Sequence, residues 1–300
     1  MNFKLKLTDA QASALLDYYK DSIIESEEKP MKALIKKDDV TISLFQTNVV
    51  LFQGRHSEKE KLFWQKTFNM PLDDEIVKPK RQTDYFVTSI GSDESGVGDY
   101  FGPLTVCAAY IKKTDKAFLE GLSVKDSKQI SDSQIKVIAK QIIKRIPYSL
   151  LSLSNPKYNT LIKKGFNAHK LKAHLHAQCH IHLMKKIGEN PPIIIDQFCS
   201  EKKYKEYVSD FKNAPIPQTF LTKAETYYAS VAVASIIARY SFLMHLEQLE
   251  EKYNMPLPKG ASAVVDERAK MIIQEKGLKT LYQVAKLHFK TTQKADALIK

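Results

Sequence analysis

Asp93 and Glu94 stand side by side at the head of a glycine-rich run, "SDESGVGDYFGPL" (Ser92–Leu104). Adjacent carboxylates repel one another, and Gly96, Gly98 and Gly102 leave the backbone after them bare. A ligand set made only of carboxylates selects a hard cation, Mg²⁺ or Mn²⁺, that keeps part of its water. Consecutive residues of a regular strand face opposite ways. A bend or bulge at the glycines is therefore expected, to turn both acids onto one centre. The competing reading is a solvated Asp-Glu pair in a turn. A dinucleotide loop fits less well, because the spacing G-x-G-x-x-x-G is one residue longer than that fingerprint and a strand follows instead of a helix.

Two further acids sit where core elements begin or end. Asp196 closes the apolar run "IIID", and an acid at the C-terminal end of a central strand is a frequent ligand position in α/β sheets. Glu225 opens the long apolar stretch "AETYYASVAVASIIAR", although Thr222 and Glu225 also have capping-box spacing. Four acids meeting at one sheet edge need cations to neutralise them. The run "HLHAQCHIH" (His174–His182) raises zinc as an alternative. Only His176 and His180 have the i, i+4 spacing for a shared ion, so these histidines are read as helix-surface and sheet-packing residues.

The elements that must place these residues can be read in order. Residues 1–68 form a small unit of order β-α-β-β-β-α, with capping boxes at Thr8–Gln11 and Ser57–Glu60. Residues 69–83 hold two prolines and little periodicity, and read as a linker. Residues 84–300 alternate strands and helices in an α/β manner. "YFVTSIGS" and "PLTVCAAYI" are close enough for an antiparallel hairpin. "SDSQIKVIAKQIIKRI" is a helix capped near Ser131 or Ser133, "YSLLSLS" a third strand, and "NAHKLKAHLHAQCHIHLMKKIG" a long helix ended by Gly188. "PPIIID" has the fully apolar pattern of a strand covered on both faces.

The chain has 300 residues with 43% hydrophobic content, enough for a core in each of two units. Its net charge of +12 suits a polyanionic partner. Residues 1–80 carry equal numbers of acidic and basic residues, so the whole excess lies in the larger unit. Three cysteines with no C-x-x-C spacing point to a reducing compartment and a cytoplasmic location. No uncharged run reaches the ~18 residues of a spanning helix, so no membrane association is expected.

Taken together, these stretches resemble the type 2 ribonucleases H, and within them ribonuclease HIII. "SDESGVGDYFGPL" looks like the family's D-E-x-G-x-G-D…G-P motif. "VKDSKQIS" (Val124–Ser131), "IIIDQF", "KAETYYASVAVASIIAR", "MPLPKGASAVVD" and "KLHFK" are similar to its later motifs, in the same order. The N-terminal unit is similar to the TATA-binding-protein-like domain that distinguishes HIII from HII. Two departures are visible. Val97 stands between the glycines where the HII type usually has Arg or Lys, which favours HIII. Glu225 stands where many relatives carry Asp.

The resemblance implies an α/β catalytic domain with an RNase H-like mixed sheet flanked by helices, preceded by the small α+β domain. It implies two Mg²⁺ or Mn²⁺ ions held by Asp93, Glu94, Asp196 and Glu225. The implied reaction is endonucleolytic cleavage of the RNA strand of an RNA/DNA hybrid, leaving 5′-phosphate and 3′-hydroxyl ends, by a monomer. The bare backbone at Gly96, Val97 and Gly98 is expected to approach a ribose 2′-hydroxyl. Lys128 is expected on a phosphate with help from Ser127, Tyr100 near the metals or in the core, and Lys259 along the groove. The alternatives are HII-like cleavage at single ribonucleotides in duplex DNA, or a non-catalytic hybrid-binding protein.

Overall fold

The computed structural model describes residues 2–24, 31–37, 39–70, 84–124, 130–211 and 213–297. The chain divides into two compact units, Met1–Gln82 and Thr83–Lys300. Most of the expected linker, residues 71–83, lies outside the described residues, as do Ser127 and Lys128.

In the first unit, β1 (Asn2–Lys6) leads into α1 (Asp9–Tyr18), then β2 (Ile23–Ile24), β3 (Met31–Lys37), β4 (Val40–Phe45), β5 (Val49–Gly54) and α2 (Ser57–Thr67). The strands form one antiparallel sheet of order β1-β5-β4-β3-β2. The expected order holds, with the two-residue β2 added at the edge. Alternation puts Leu5, Ile35, Ile42, Leu44, Val50 and Phe52 on one face, where they pack with Leu15 and Trp64 of the two helices. Thr8 and Gln11 form the expected capping box. The one expected at Ser57 does not form. His56 is the cap, and the Ser57 hydroxyl donates back to the Gly54 carbonyl at 2.8 Å.

In the second unit, β6 (Ser89–Ser95) and β7 (Leu104–Ile111) form the expected hairpin. There follow α3 (Lys116–Gly121), α4 (Asp132–Ile142), β8 (Tyr148–Leu153), α5 (Asn155–Lys163) and α6 (Ala168–Ile187). Then come β9 (Ile193–Asp196), α7 (Glu201–Tyr207), β10 (Thr219–Leu221), α8 (Ala229–Tyr253), α9 (Ala263–Val284) and α10 (Lys290–Ala297). The mixed sheet has the order β10-β9-β6-β7-β8, with β9 parallel to both β6 and β10.

The period of two along β7 sorts the core. Cys107, Ala109 and Ile111 pack with α8 on one face, and Val106, Ala108 and Tyr110 pack with α6 on the other. Helix α6 ends at Gly188 in the left-handed region (φ 70°), as expected. Helix α8 is long and apolar enough to cross a membrane by composition, but it is the core helix of this unit, with Val233, Ala234, Ile236 and Ile237 fully buried. Its backbone comes so close to β6 that a Cβ on Gly91 would lie 2.2 Å from the Val231 nitrogen.

One boundary differs from expectation. Helix α8 starts at Ala229, and Glu225 lies before it in a single 3₁₀ turn, Ala224–Thr226. The cap is Tyr228, not Thr222. Two tethers fix this turn ahead of the helix: the Ala224 amide donates to Asp196, and the Ala229 amide donates to the Tyr85 carbonyl.

Candidate active site

Strand β6 keeps a regular register with β7 through Asp93, Glu94 and Ser95. The expected bend does not occur before the acids end, and the pleat sends them to opposite faces. Asp93 turns toward α8, where it takes a hydrogen bond from Ser235. Glu94 turns toward α6, where Lys172 Nζ lies 2.7 Å from Oε1 and His176 Nε2 lies 2.9 Å from Oε2.

Asp196 comes to the same sheet end through β9. The pairing Ser92↔Ile195 is the last in the parallel ladder, so Asp93 and Asp196 are the next residues of the two strands. Asp196 Oδ1 accepts the Ala224 amide at 2.9 Å, which places the buried Glu225 one residue from that contact.

Burial pushes the Asp93 carboxyl up to about 8, reinforced by the charges of Glu94 and Asp196 and opposed by the Ser235 hydrogen bond. Burial also works against charge on Glu94. The His176 and Lys172 contacts more than offset it and hold that carboxyl below the ordinary Glu range. Burial thus favours the protonated form of Asp93, whereas Glu94 has its cation in Lys172. Among the described residues no three His, Cys, Asp or Glu side chains are gathered closely enough to cage an ion. The donor chemistry nevertheless fits a hard divalent cation: carboxylate oxygens at one sheet end, one of them resisting ionisation until a cation arrives.

The glycines have separable roles. Gly96 (φ +86°) and Gly102 (φ +82°) are required by the fold, since a Cβ would lie 2.2 Å from the Pro103 carbonyl oxygen in the first case and 2.9 Å from the Phe242 ring in the second. Gly98 is exposed, and a Cβ there meets nothing within 4 Å. Its bareness serves no packing purpose, which leaves its backbone open to a ligand. Val97 packs beside Leu104 and Tyr158.

Other expected site residues fall differently. Tyr100 is fully buried with its hydroxyl 2.9 Å from Thr292 Oγ1, so its side chain fills the core and presents nothing to a duplex. Lys259 is half-exposed and paired with Asp132, which also takes Arg239 at 2.6 Å.

The structure brings Lys172, Lys286 and His176 into play, the last of which the sequence places only as a sheet-packing residue. For Lys172 and His176 the i, i+4 spacing on a sheet-packing helix was the available signal, but only the β6 pleat shows that Glu94 faces them. Lys286, in "KLHFK", is fully buried, and its Nζ donates to the carbonyls of Asp99 (2.8 Å) and Gly102 (2.5 Å). Asn155 Nδ2 donates to the same Gly102 carbonyl at 2.8 Å, and the Gly260 amide donates to Asp99 Oδ1 at 2.6 Å. The glycine loop is therefore stapled from behind.

The family model for ribonuclease HII matches residues 90–292, and the model of a domain of unknown function matches residues 2–74. Ribonuclease HIII of Bacillus subtilis is 42% identical over 290 residues, which cover 93% of this chain and 92% of that one. The chain belongs to the ribonuclease HIII family. Ribonuclease HIII of Oceanobacillus iheyensis is 41% identical, with 97% of each chain covered. Among solved structures, Bst-RNase HIII in complex with Mn²⁺ is similar, at 36% identity and a TM-score of 0.71 over 100% of this chain and 99% of that one. Aquifex aeolicus RNase H3, at 24% identity and a TM-score of 0.56, shares the fold. Membership makes this chain a metal-dependent ribonuclease H endonuclease that acts on nucleic acid.

Proposed function

We propose that the protein cuts the RNA strand of RNA/DNA hybrids at a site formed by Asp93, Glu94, Asp196 and Glu225. The observation that carries this reading is the placement of Asp93 and Asp196 at neighbouring ends of parallel β6 and β9, electrostatically coupled, with β6 leading into the loop of the exposed Gly98. When bound, a pair of Mg²⁺ or Mn²⁺ ions supplies a water of lowered pKa and charge stabilisation at the scissile phosphate during in-line displacement, which leaves 5′-phosphate and 3′-hydroxyl ends.

The chain's own residues bind and orient. Asp93 and Asp196 offer oxygens from rigid strand ends. Glu225 adds a carboxylate from a turn that Asp196 itself tethers. The Gly98 backbone reads the ribose 2′-hydroxyl, the group that separates RNA from DNA. Lys4, Lys6 and Lys36 lie exposed on the sheet face of the first unit opposite its core, and we assign that face to the phosphates of the duplex.

An end-labelled RNA/DNA hybrid, incubated with and without Mg²⁺ or Mn²⁺, tests this reading. The expected result is internal RNA cleavage only with metal. Intact RNA in every lane favours a hybrid-binding role. Cleavage confined to a duplex holding one ribonucleotide favours the HII-like alternative.

A further inference from the structure

Behind Glu94 lies a closed set of polar side chains. His176 and Lys172 are almost wholly enclosed, at 0% and 6% side-chain exposure. His176 reaches Glu94 Oε2 through Nε2, and its Nδ1 lies 2.9 Å from Ser92 Oγ. Ser92 is two residues before Glu94, on the same face of β6, and its Oγ is also 2.8 Å from His180 Nε2. His180 Nδ1 is buried, with no hydrogen-bond partner among the described residues.

For neutral imidazoles, counting protons fixes the direction of the bonds among Ser92, His176 and His180. A serine hydroxyl has one proton to give, and a neutral imidazole has one donor and one acceptor nitrogen. A proton on His180 Nδ1 would be a buried donor with nothing to receive it, whereas a bare nitrogen there leaves no donor stranded. His180 therefore carries its proton on Nε2 and donates to Ser92. The Ser92 proton then goes to the remaining acceptor, His176 Nδ1. This puts the His176 proton on Nε2, aimed at Glu94.

We propose that Ser92 and His180 lock His176 as a one-way donor to Glu94, and that His176 and Lys172 together are positioning residues that hold this carboxylate for its metal. The inference rests on the assignment of Glu94 to the metal site. It also accounts for the residue types. Lys172 supplies a compensating charge at Oε1, and His176 supplies a directional donor at Oε2, so each carboxylate oxygen is oriented by its own partner. Partners of this kind behind a metal ligand are commonly worth 10–100-fold in metal affinity.

Long-range ¹H–¹⁵N spectra of the metal-free, ¹⁵N-histidine-labelled wild-type protein at neutral pH test the lock directly. The expected pattern is Nε2–H with bare Nδ1 for both His176 and His180. A proton on Nδ1 of either ring overturns the proposal. In a second test, Ser92→Ala, which does not touch Glu94, is expected to weaken Mn²⁺ binding by calorimetry 10- to 100-fold and to lower kcat with KM for hybrid unchanged. His176→Leu should match it, and His176→Gln, which retains a donor, should recover much of the loss. Wild-type Mn²⁺ affinity in both Ser92→Ala and His176→Leu overturns the proposal. The histidine spectra need no substrate, so absence of hybrid cleavage by the wild-type protein would sink the nuclease reading and leave the lock standing or falling separately.

Discussion

Asp196 Oδ1 accepts the Ala224 amide hydrogen at 2.9 Å, so the last residue of β9 holds the turn that carries Glu225. One acid thereby sets the place of another. Asp196→Asn keeps an acceptor for Ala224 and removes the charge. Its melting temperature should stay close to wild type while kcat falls on the order of a thousandfold, the several kcal/mol that a metal-held charge contributes at the phosphate. Asp196→Ala should lose the tether as well and melt lower. Thermal melts and single-turnover cleavage of the two variants separate the roles, and a fully active Asp196→Asn would remove Asp196 from the site.

Asp93 gives a pH signature. Its folded-state carboxyl is pushed up to about 8, above the ordinary value near 4. Between those values the native state binds more protons than the unfolded chain, so this group makes metal-free stability fall as pH rises from about 4 to about 8. Asp93→Asn should abolish that component and melt higher than wild type at pH 8 without metal. Added Mn²⁺ should stabilise wild type and leave the variant nearly unmoved, because a cation that binds only the native state raises its stability by mass action. Melting curves at pH 5, 6.5 and 8, with and without Mn²⁺, check the sign. An Asp93→Asn protein that melts lower than wild type at pH 8 contradicts it.

Much of this was legible because it lies in local patterns. The β6–β7 hairpin, the apolar β9, the Gly188 stop of α6 and the Ser131 cap of α4 follow from periodicity and end signals within a few residues. What escaped depends on which face a residue takes once the sheet is built. The divergence of Asp93 and Glu94 follows from a register that continues to Ser95, and a glycine-rich sequence does not disclose where pleating stops. The role of His176 depends on α6 packing over β6, a contact between residues more than eighty positions apart. Lys286 resembles an ordinary surface lysine until the loop of Asp99–Gly102 closes over it.

Gly91 and Gly98 should respond in opposite ways to the same substitution. Gly91→Ala would place a methyl 2.2 Å from the Val231 nitrogen and 2.3 Å from the Ser230 carbonyl carbon, so α8 must move off the sheet. Overpacking against backbone of this kind costs about 1–3 kcal/mol or more. Gly98→Ala meets no atom and should change stability by less than about 0.5 kcal/mol. It should instead raise KM for hybrid, because the added methyl stands where the ribose approaches. Denaturant titrations and steady-state kinetics of the pair decide the matter. An unchanged KM in Gly98→Ala would detach this loop from substrate.

Lys4 and Lys36 project from β1 and β3 on the face opposite the first unit's core, with no apolar burial to lose. Lys4→Glu with Lys36→Glu should leave the melting temperature near wild type and kcat unchanged. KM should rise several-fold. The dependence of binding on salt should flatten by about one counterion for each phosphate that the variant no longer neutralises. Binding isotherms for a labelled hybrid at several salt concentrations read both effects, and wild-type slopes would remove this sheet face from the interface.

Lys286 supplies the last prediction. Its ammonium is enclosed among protein groups, and burial lowers its pKa to about 7 despite the nearby charge of Asp99. The unfolded chain keeps an ordinary lysine near 10.4. Between those values the unfolded state binds more protons, so this group makes stability rise with pH from about 7 toward 10. Below that window a charged group is held out of water. Above it a neutral amine still donates to the carbonyls of Asp99 and Gly102 at no such cost. Lys286→Met keeps the bulk and removes both donors, at roughly 0.5–1.5 kcal/mol for each hydrogen bond. The stability gap between wild type and Lys286→Met should therefore be small at pH 6.5 and wider at pH 9. KM for hybrid should rise as the Gly98 loop loses its staple. A gap that stays constant between those two pH values would show that the Lys286 amine titrates as it does in water.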